Sequence, residues 1–403
     1  MRARDLGIAI GSGEPGPANA ITDVGGVRVG HSTLIEGDDI RTGVTVVFPH
    51  DRDPGSDPVF AGAHRLNGNG ELTGLEWVRE SGLLTTPVAL TNTHSVGVVR
   101  DALVRYAVAR SEVDTWSLPV VGETWDGVLN DVNGFHVRTE HVDAAIEAVA
   151  DGAVEEGAVG GGTGMICHGF KGGIGTASRV LAEGDGGWTV GVLVQANHGR
   201  RSRLRIEGVE VGEQLGPERI PLPTWPDGPR GGSIIVLVAT DAPLLPHQCE
   251  RLAQRATFGI ARTGGAGEDS SGDLVLAWAT GNRGLGDASA VRPVSMLANE
   301  RIDALFYAVI DATEEAILNA LLAAETMTGR GGATAHRLDP SSSSTCSVDN
   351  GSRETVEAPA CGTPTPHRAA RPQRGRDPFS SSSNSVFRAR SARARSGSRR
   401  RAF

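Results

Sequence analysis

The sequence predicts an α/β protein in which strands and helices alternate along the chain. Two observations support this class: valine-rich segments interrupted by glycine, and other segments whose apolar residues recur at helical spacing. Branched side chains favour strands, and an aromatic content of 4% leaves Val, Leu, Ile and Ala to form the core. Strands combined with helices suit this composition better than a helical bundle.

The first part of the chain contains strand patterns with glycine bends and helical patterns of modest length. Alternating residues predict strands at 21–34 and 41–50. Before residue 155, the sequence also predicts a helix whose first residues are 74–81 and a strand at 87–97 that leads into a loop. Two further helices are predicted at 98–111 and 141–154.

The second part begins with nine glycines within residues 157–181, too many for a regular helix. Residues 200–230 are polar and carry prolines, so we expect a surface loop there. The predicted regular elements are buried strands at 188–199 and 231–246, a helix at 247–263, a strand at 271–280 and a long helix at 302–324.

Composition divides the chain into residues 1–334, predicted to form a single catalytic domain, and a tail at 335–403. The tail holds 13 Arg against 5 Asp plus Glu, so it carries +8 while the rest carries −17. Its Ser, Pro and Arg tracts lack apolar periodicity, which predicts a disordered basic tail. Binding to nucleic acid or membrane, or an out-of-frame extension of the gene, would give the same composition. The acidic body itself is not expected to bind nucleic acid.

Several site classes are disfavoured by the residue patterns. No run of 18 apolar residues predicts a membrane span, and the short apolar stretch near the N-terminus favours a cytoplasmic protein. The Gly11–Gly16 segment matches GxGxxG, but a strand-like segment follows it instead of the helix that a dinucleotide site needs. The four cysteines form no CxxC pair and the eleven histidines show no metal-ligand spacing, so no metal site is expected.

The most informative segment is ARTGGAGEDSSGDLVLAWAT at 261–280, where a glycine-rich loop meets a buried strand. A strained loop of this kind can press the Ser271 hydroxyl onto the preceding carbonyl, so that an N-to-O acyl shift and hydrolysis cut the chain. The new α-amine has a pKa near 8, which allows it to act as a base for the adjacent hydroxyl. Serines before a strand are common, but this arrangement is the one that a self-cleaving hydrolase with Ser271 as its N-terminal nucleophile needs.

Several long motifs, in order, resemble the DmpA-like family of L-aminopeptidase/D-esterases and β-peptidyl aminopeptidases. The resemblance runs from about residue 19 to residue 337 and includes the SSGD segment. Its other motifs lie at 21–31, 121–136, 157–178, 190–199 and 311–330.

The resemblance implies a four-layer αββα sandwich, distinct in topology from the N-terminal-nucleophile hydrolases of the usual type. It implies a cut between Ser270 and Ser271, giving a large chain 1–270 and a small chain from 271 onward. It also implies no metal or organic cofactor, a homo-oligomer of cleaved protomers, and small peptides or amino-acid amides and esters as substrates.

Residue roles follow from the motifs that match. Ser271 would be the nucleophile, Glu123 in the GETWDG motif would bind the substrate's ammonium group, and Asn197 in QANHG would donate to the oxyanion. Trp125 stands where some members carry a tyrosine that donates to the same oxyanion. Ser270 stands where Asn or Gly is more usual, and the cut could instead fall at Ser270.

A hydroxyl and a carboxylate from the long helix near the C-terminus would assist. The hydroxyl candidate is Thr313, although a threonine on the buried helix face usually bonds back to a carbonyl of its own helix. The carboxylate candidates are Glu314, which lies beside the face of Thr313, and Glu315, which fits a hydroxyl-x-carboxylate pattern. The sequence leaves both open.

Two other functions compete with the aminopeptidase. One is a self-processing acyltransferase of the ornithine acetyltransferase type, although those enzymes are cut at threonine. The other is an inactive member or binding scaffold whose altered C-terminus spoils assembly. Side-chain preference, L or D stereochemistry and α or β peptides are left undetermined, because the pocket is expected to come from loops and a neighbouring subunit.

Overall fold

The computed structural model describes residues 1–111, 115–224, 232–287 and 289–340. The predicted tail therefore lies outside the described residues from position 341 onward. Just past residue 334, Ala335 pairs with Met327 and Leu338 is buried in the core, so the described fold continues beyond the predicted domain boundary. None of the helices in the described ranges combines the length and hydropathy needed to cross a bilayer.

The described elements agree in class with the α/β prediction. The helices are α1 Leu75–Ser81, α2 Val96–Val108, α3 Thr139–Glu147, α4 Val211–Gln214, α5 Pro246–Arg262 and α6 Asp303–Ala323. The strands are β1 Arg28–Glu36, β2 Ile40–Phe48, β3 Val59–Gly68, β4 Leu83–Leu84, β5 Val88–Asn92, β6 Val120–Thr124, β7 Ile166–Cys167, β8 Phe170–Lys171, β9 Gly173–Val180, β10 Thr189–Asn197, β11 Arg205–Ile206, β12 Val209–Glu210, β13 Gly232–Thr240, β14 Ser271–Ala279, β15 Met327–Thr328 and β16 Thr334–Ala335.

Differences from the predicted elements have local causes. The predicted strand at 21–34 begins only at Arg28, because Ile21–Asp23 forms a 3₁₀ turn. The predicted helix at 141–154 instead spans Thr139–Glu147, and Gly152, within the predicted range, adopts a positive φ of 80° that a helix excludes. The expected surface loop at 200–230 contains the small β11–β12 hairpin and α4.

Two sheets face each other in the centre of the molecule. One has the strand order β1-β2-β5-β6 and the other the order β4-β3-β14-β13-β10-β9. A shared apolar cluster fills the space between them, with Val47 and Leu90 from the smaller sheet meeting Leu193, Leu237 and Leu276 from the larger one. Alternate residues of each strand point to the opposite face.

The outer faces of both sheets are covered by helices. Helices α2 and α3 pack on the smaller sheet, with Val99 and Val142 meeting Val46. Helices α5 and α6 pack on the larger sheet, with Leu252 and Val309 in one cluster with strands β10, β13 and β14. The layers are therefore helix, sheet, sheet and helix, which confirms the predicted αββα sandwich.

Strand direction brings distant residues to one end of the larger sheet. Strands β13 and β14 are parallel and pair Gly232 with Ser271, while the antiparallel β10 ends with Asn197 opposite Ser233. Neighbouring strands lie about 4.8 Å apart, so the end of β10 lies roughly 10 Å from the start of β14.

Candidate active site

Ser271 is the first residue of β14 and is almost fully buried. Its Oγ donates a hydrogen bond of 2.6 Å to Oδ1 of Asp273. Burial raises the pKa of the Asp273 carboxyl to about 6, and the bond from Ser271 opposes that rise. The pairing of β14 with β3 shifts register between Asp273 and Leu274, a bulge of the kind that re-aims side chains.

The peptide bond before Ser271 is held by side chains from β3 and the loop after it. Nδ2 of Asn69 donates to the Ser270 carbonyl oxygen at 2.9 Å, and Nδ2 of Asn67 donates to the Glu268 carbonyl oxygen at 2.9 Å. The Ser271 N–H donates back to the Glu268 carbonyl at 2.7 Å, which closes a tight turn. The peptide bond at the predicted cut is therefore fixed beside the serine hydroxyl.

Glycine makes the approach of the two chain segments possible. A Cβ on Gly272 would lie 2.6 Å from the carbonyl oxygen of Asn69 and 2.8 Å from Cα of Gly70. The N–H of Gly272 donates to Oγ of Ser233 at 3.0 Å. Any larger residue at position 272 would push the Asn69 segment away from the turn.

Asn197 lies at the end of β10 with its amide group oriented by two backbone contacts. Its Nδ2 donates to the Trp125 carbonyl at 2.9 Å, and its Oδ1 accepts from the Ile166 N–H at 2.8 Å. An amide nitrogen carries two N–H groups, so the contact with Trp125 uses one of them.

A cavity of about 810 Å³ brings together four of these residues: Trp125, Asn197, Ser271 and Asp273. Its wall also contains charged side chains of both signs, namely Arg200, Arg201, Glu213, Glu218 and Glu268. The cavity is large enough for a small peptide or amino-acid derivative.

Glu123 does not line this cavity, but its carboxylate lies just behind the Gly70 segment. A Cβ on Gly70 would be 2.9 Å from Oε1 of Glu123 and 3.1 Å from Cα of Gly272. The Glu71 N–H donates to Oε1 at 2.9 Å and the Thr93 hydroxyl donates to Oε2. Burial raises the pKa of Glu123, and no Lys or Arg in the described ranges forms an ion pair with it.

Thr313, Glu314 and Glu315 lie elsewhere, and none of the three lines the cavity that contains Ser271. The Thr313 hydroxyl donates to the Val309 carbonyl at 2.7 Å, which is the back-bonding arrangement weighed from the sequence. Glu314 lies 3.4 Å from Arg262 and lines a different cleft.

Glu315 is held by a buried network at the other end of β9. Its Oε2 lies 2.6 Å from Nη2 of Arg179, and both side chains are fully buried. Arg4 and Asn19 contact its Oε1 at 3.0 and 2.6 Å. These contacts join the N-terminal segment to α6, so Glu315 has a structural role in the fold.

Three residues at the site escaped the sequence analysis: Asn67, Asn69 and Asp273. Asp273 was visible in the SGD motif, and the two asparagines were visible as the Asn-Gly-Asn-Gly run at 67–70. No local rule links that run to Ser271, which lies about 200 residues further along the chain.

Comparison with known proteins agrees with this architecture. The model of peptidase family S58 matches residues 19–335. The beta-peptidyl aminopeptidase BapA of Sphingosinicella microcystinivorans is 48% identical over 355 residues, covering 84% of this chain and 89% of its own length.

Solved structures give the same result. A beta-aminopeptidase from Burkholderia sp. superposes with a TM-score of 0.80 at 57% identity, covering 85% of this chain and 97% of its own. The L-aminopeptidase D-Ala-esterase/amidase of Ochrobactrum anthropi, described as a prototype serine aminopeptidase with a variant of the Ntn hydrolase fold, gives a TM-score of 0.77 at 43% identity, covering 85% of this chain and 96% of its own.

Proposed function

Because this chain belongs to peptidase family S58, we propose that it cuts itself before Ser271 and then uses that serine as its nucleophile. The family and its relatives make the chain a self-processing serine aminopeptidase, and they favour this activity over acyl transfer of the ornithine acetyltransferase type. The observation that carries the residue assignment is the Ser271 hydroxyl bonded to Asp273, beside a peptide carbonyl bonded to Asn69.

In the uncut chain Ser271 has no free amine, so another group must accept the hydroxyl proton. Asp273 is 2.6 Å from Oγ and is mostly ionised at neutral pH, with its pKa raised to about 6 by burial. Oγ attacks the Ser270 carbonyl carbon while Asn69 donates to the oxygen that becomes negative. The C–N bond then breaks, the proton passes to the departing Ser271 nitrogen, and water hydrolyses the resulting ester.

Once the chain is cut, the α-amine of Ser271 takes over as the base for peptide hydrolysis. Oγ attacks the substrate carbonyl, forms an acyl-enzyme and releases the amine product, after which water restores the serine. Asn197 donates to the oxyanion with the N–H that its bond to Trp125 does not use. In this proposal Trp125 shapes the wall of the cavity and orients Asn197 through its backbone.

Selectivity for a free amino end is assigned to Glu123. Its two oxygens are held by neutral donors, Glu71 N–H and the Thr93 hydroxyl, so the buried charge still lacks a cation. A substrate ammonium would supply that cation. The carboxylate reaches the start of β14 past Gly70, which has no side chain to block the way.

We further propose small peptides, amides and esters with a free amino end as substrates, including those that begin with a β-amino acid. The support is the names of the relatives, which are a beta-peptidyl aminopeptidase and a beta-aminopeptidase at 48% and 57% identity. Rates on p-nitroanilides of a β-amino acid, an L-α-amino acid and a D-α-amino acid would rank the three classes directly.

Assembly into a homo-oligomer of cleaved protomers is also a proposal, as is a catalytic domain that ends near residue 340. Size-exclusion chromatography of the full chain and of a chain ending at residue 340 would test both. The shorter chain keeps Leu338, which is buried in the core. Failure of the shorter chain to fold would show that residues beyond 340 belong to the domain.

The main experiment is mass spectrometry of the purified chain, compared with the variant Ser271→Ala. The wild type should give two pieces of about 270 and 130 residues, the second beginning with Ser271, while the variant should remain whole. Cleavage before Ser270, or an intact wild-type chain that still hydrolyses peptides, would contradict the assignment.

A further inference from the structure

A cluster of metal-binding side chains lies behind the wall of the active-site cavity. Cys167, His168 and His198 each place one ligand atom within 4.8 Å of the ligand atoms of the other two, and all three are buried. Of the three, His198 lines the cavity next to Asn197. We propose that these residues form a binding site for a borderline-soft divalent ion, with Zn²⁺ as the expected occupant.

The fold brings the three residues together from two segments. Cys167 ends β7 and His168 occupies the tight turn into β8, where its φ is +48°. His198 follows β10, and its carbonyl accepts a 2.7 Å hydrogen bond from the His168 N–H. No metal-ligand spacing is visible in the sequence because the ligands stand at 167, 168 and 198, and contacts such as this one bring the two segments together only in the fold.

The atom positions fit zinc coordination. Zn–S and Zn–N bonds of about 2.3 and 2.0 Å in a tetrahedron place sulfur and nitrogen about 3.5 Å apart. Sγ of Cys167 lies 3.8 Å from Nδ1 of His198. A small inward movement of either side chain would complete that edge of the tetrahedron.

The hydrogen bonding of His168 is also that of a metal-binding histidine. Its Nδ1 lies 3.1 Å from the Arg200 carbonyl oxygen, which fixes the other nitrogen, Nε2, as the acceptor. Among the described residues, nothing hydrogen-bonds Nε2 of His168. A buried nitrogen without a partner is uncommon, and a metal ion would satisfy it. On His198 the nitrogen that faces Sγ of Cys167 is Nδ1.

Ligand chemistry selects the class of ion. One thiol and two imidazoles without a carboxylate suit zinc and related transition metals, and not Mg²⁺ or Ca²⁺. Cysteine binds zinc as the thiolate, so binding would release the Cys167 proton into solvent.

The described residues supply three ligands, and one of them, His198, lines the cavity. Water or a small ligand from the cavity would complete the tetrahedral coordination. His198 is the residue after Asn197, the proposed oxyanion donor. An ion bound to His198 would therefore couple metal occupancy to the position of that donor. All three ligands lie in the large chain, so binding does not depend on the cut before Ser271.

The test is titration of the chelator-treated full chain with Co²⁺, which reports a thiolate ligand by a near-ultraviolet charge-transfer band. The wild type should bind one equivalent with this band, and Zn²⁺ should abolish it. Cys167→Ala should lose the band and bind at least tenfold more weakly. The matched control is Cys249→Ala, because Cys249 is equally buried but belongs to no group of three metal ligands among the described residues.

Ser271→Ala should bind Co²⁺ like the wild type, which separates this inference from the proposed self-cleavage. If Cys167→Ala fails to fold, His168→Gln removes another ligand and should weaken binding by a similar factor. The proposal is overturned if the wild type shows no charge-transfer band, or if Cys167→Ala keeps it.

Discussion

The Ser271 hydroxyl donates a 2.6 Å hydrogen bond to Asp273, two residues further along the same strand. The contact joins the proposed nucleophile to a carboxylate within the first three residues of β14. Because the α-amine of Ser271 is part of a peptide bond in the uncut chain, we propose Asp273 as the base for self-cleavage.

Replacing Asp273 should therefore slow self-cleavage. In Asp273→Asn the proton acceptor is lost, and we expect cleavage to slow by about 10²–10⁴-fold, the usual contribution of a general base. Gel densitometry of freshly refolded or freshly translated chain measures the rate. Asp269→Asn is the matched control, since Asp269 is exposed and stands two residues before Ser271.

The pH dependence of self-cleavage follows from the raised pKa of Asp273, about 6. The active form is the carboxylate, so its fraction falls as the pH drops through 6. The cleavage rate should be nearly constant above pH 7 and decline about tenfold per pH unit well below 6. A rate that rises on acidification would exclude Asp273 as the base.

Asn69 should matter for cutting the chain more than for later turnover. Its Nδ2 contacts the Ser270 carbonyl, which leaves the nucleophile after cleavage. We expect Asn69→Ala and Asn69→Asp to slow processing about 10²–10³-fold, the effect of losing one oxyanion donor. Peptidase activity per processed protomer, titrated at the new N-terminal serine, should change far less. An equal loss in both readouts would contradict a role confined to processing.

Glu123→Gln tests recognition of the amino end. The change keeps the shape but removes the charge, so kcat/KM for substrates with a free ammonium should fall about 10²–10³-fold. Self-cleavage should proceed, because it involves no ammonium. Glu71→Gln is the control, because Glu71 is exposed and contacts Glu123 through its backbone N–H. Equal loss in both variants would indicate a general electrostatic effect.

Asn197→Ala should lower kcat by about 10²–10³-fold with little change in KM, as expected for a donor that acts on the transition state. The variant also leaves the Ile166 N–H without its acceptor, so a moderate loss of thermal stability is expected. A rise in KM with unchanged kcat would instead place Asn197 in ground-state binding.

For Glu315 and Thr313 of α6, we expect substitutions to affect stability more than catalysis. Glu315→Gln breaks the buried pair with Arg179 and should cost about 3–5 kcal/mol of unfolding free energy. Thr313→Val keeps the side-chain volume and removes only the bond to Val309, so kcat should stay within a few-fold. A large loss of kcat in folded Thr313→Val would restore the catalytic role that the family resemblance implies.

The sequence by itself determined the α/β class, the strand that begins at Ser271 and the self-cleaving chemistry. These rest on local patterns: a glycine-rich loop before a buried strand, and motifs that occur in one order. Helices α5 and α6 were predicted to within one residue at each end, because an apolar helix face has a strong period.

Only the tertiary structure decided which side chains meet. Asn69 and Ser270 are separated by 201 positions, and His168 and His198 by 30, so their contacts arise from strand pairing that no local pattern encodes. The same holds for Glu315, where the sequence offered a hydroxyl-x-carboxylate motif and the fold supplied Arg179 as its partner. A spacing along one helix fixes which face a residue occupies, but packing of the whole sandwich decides what lies against that face.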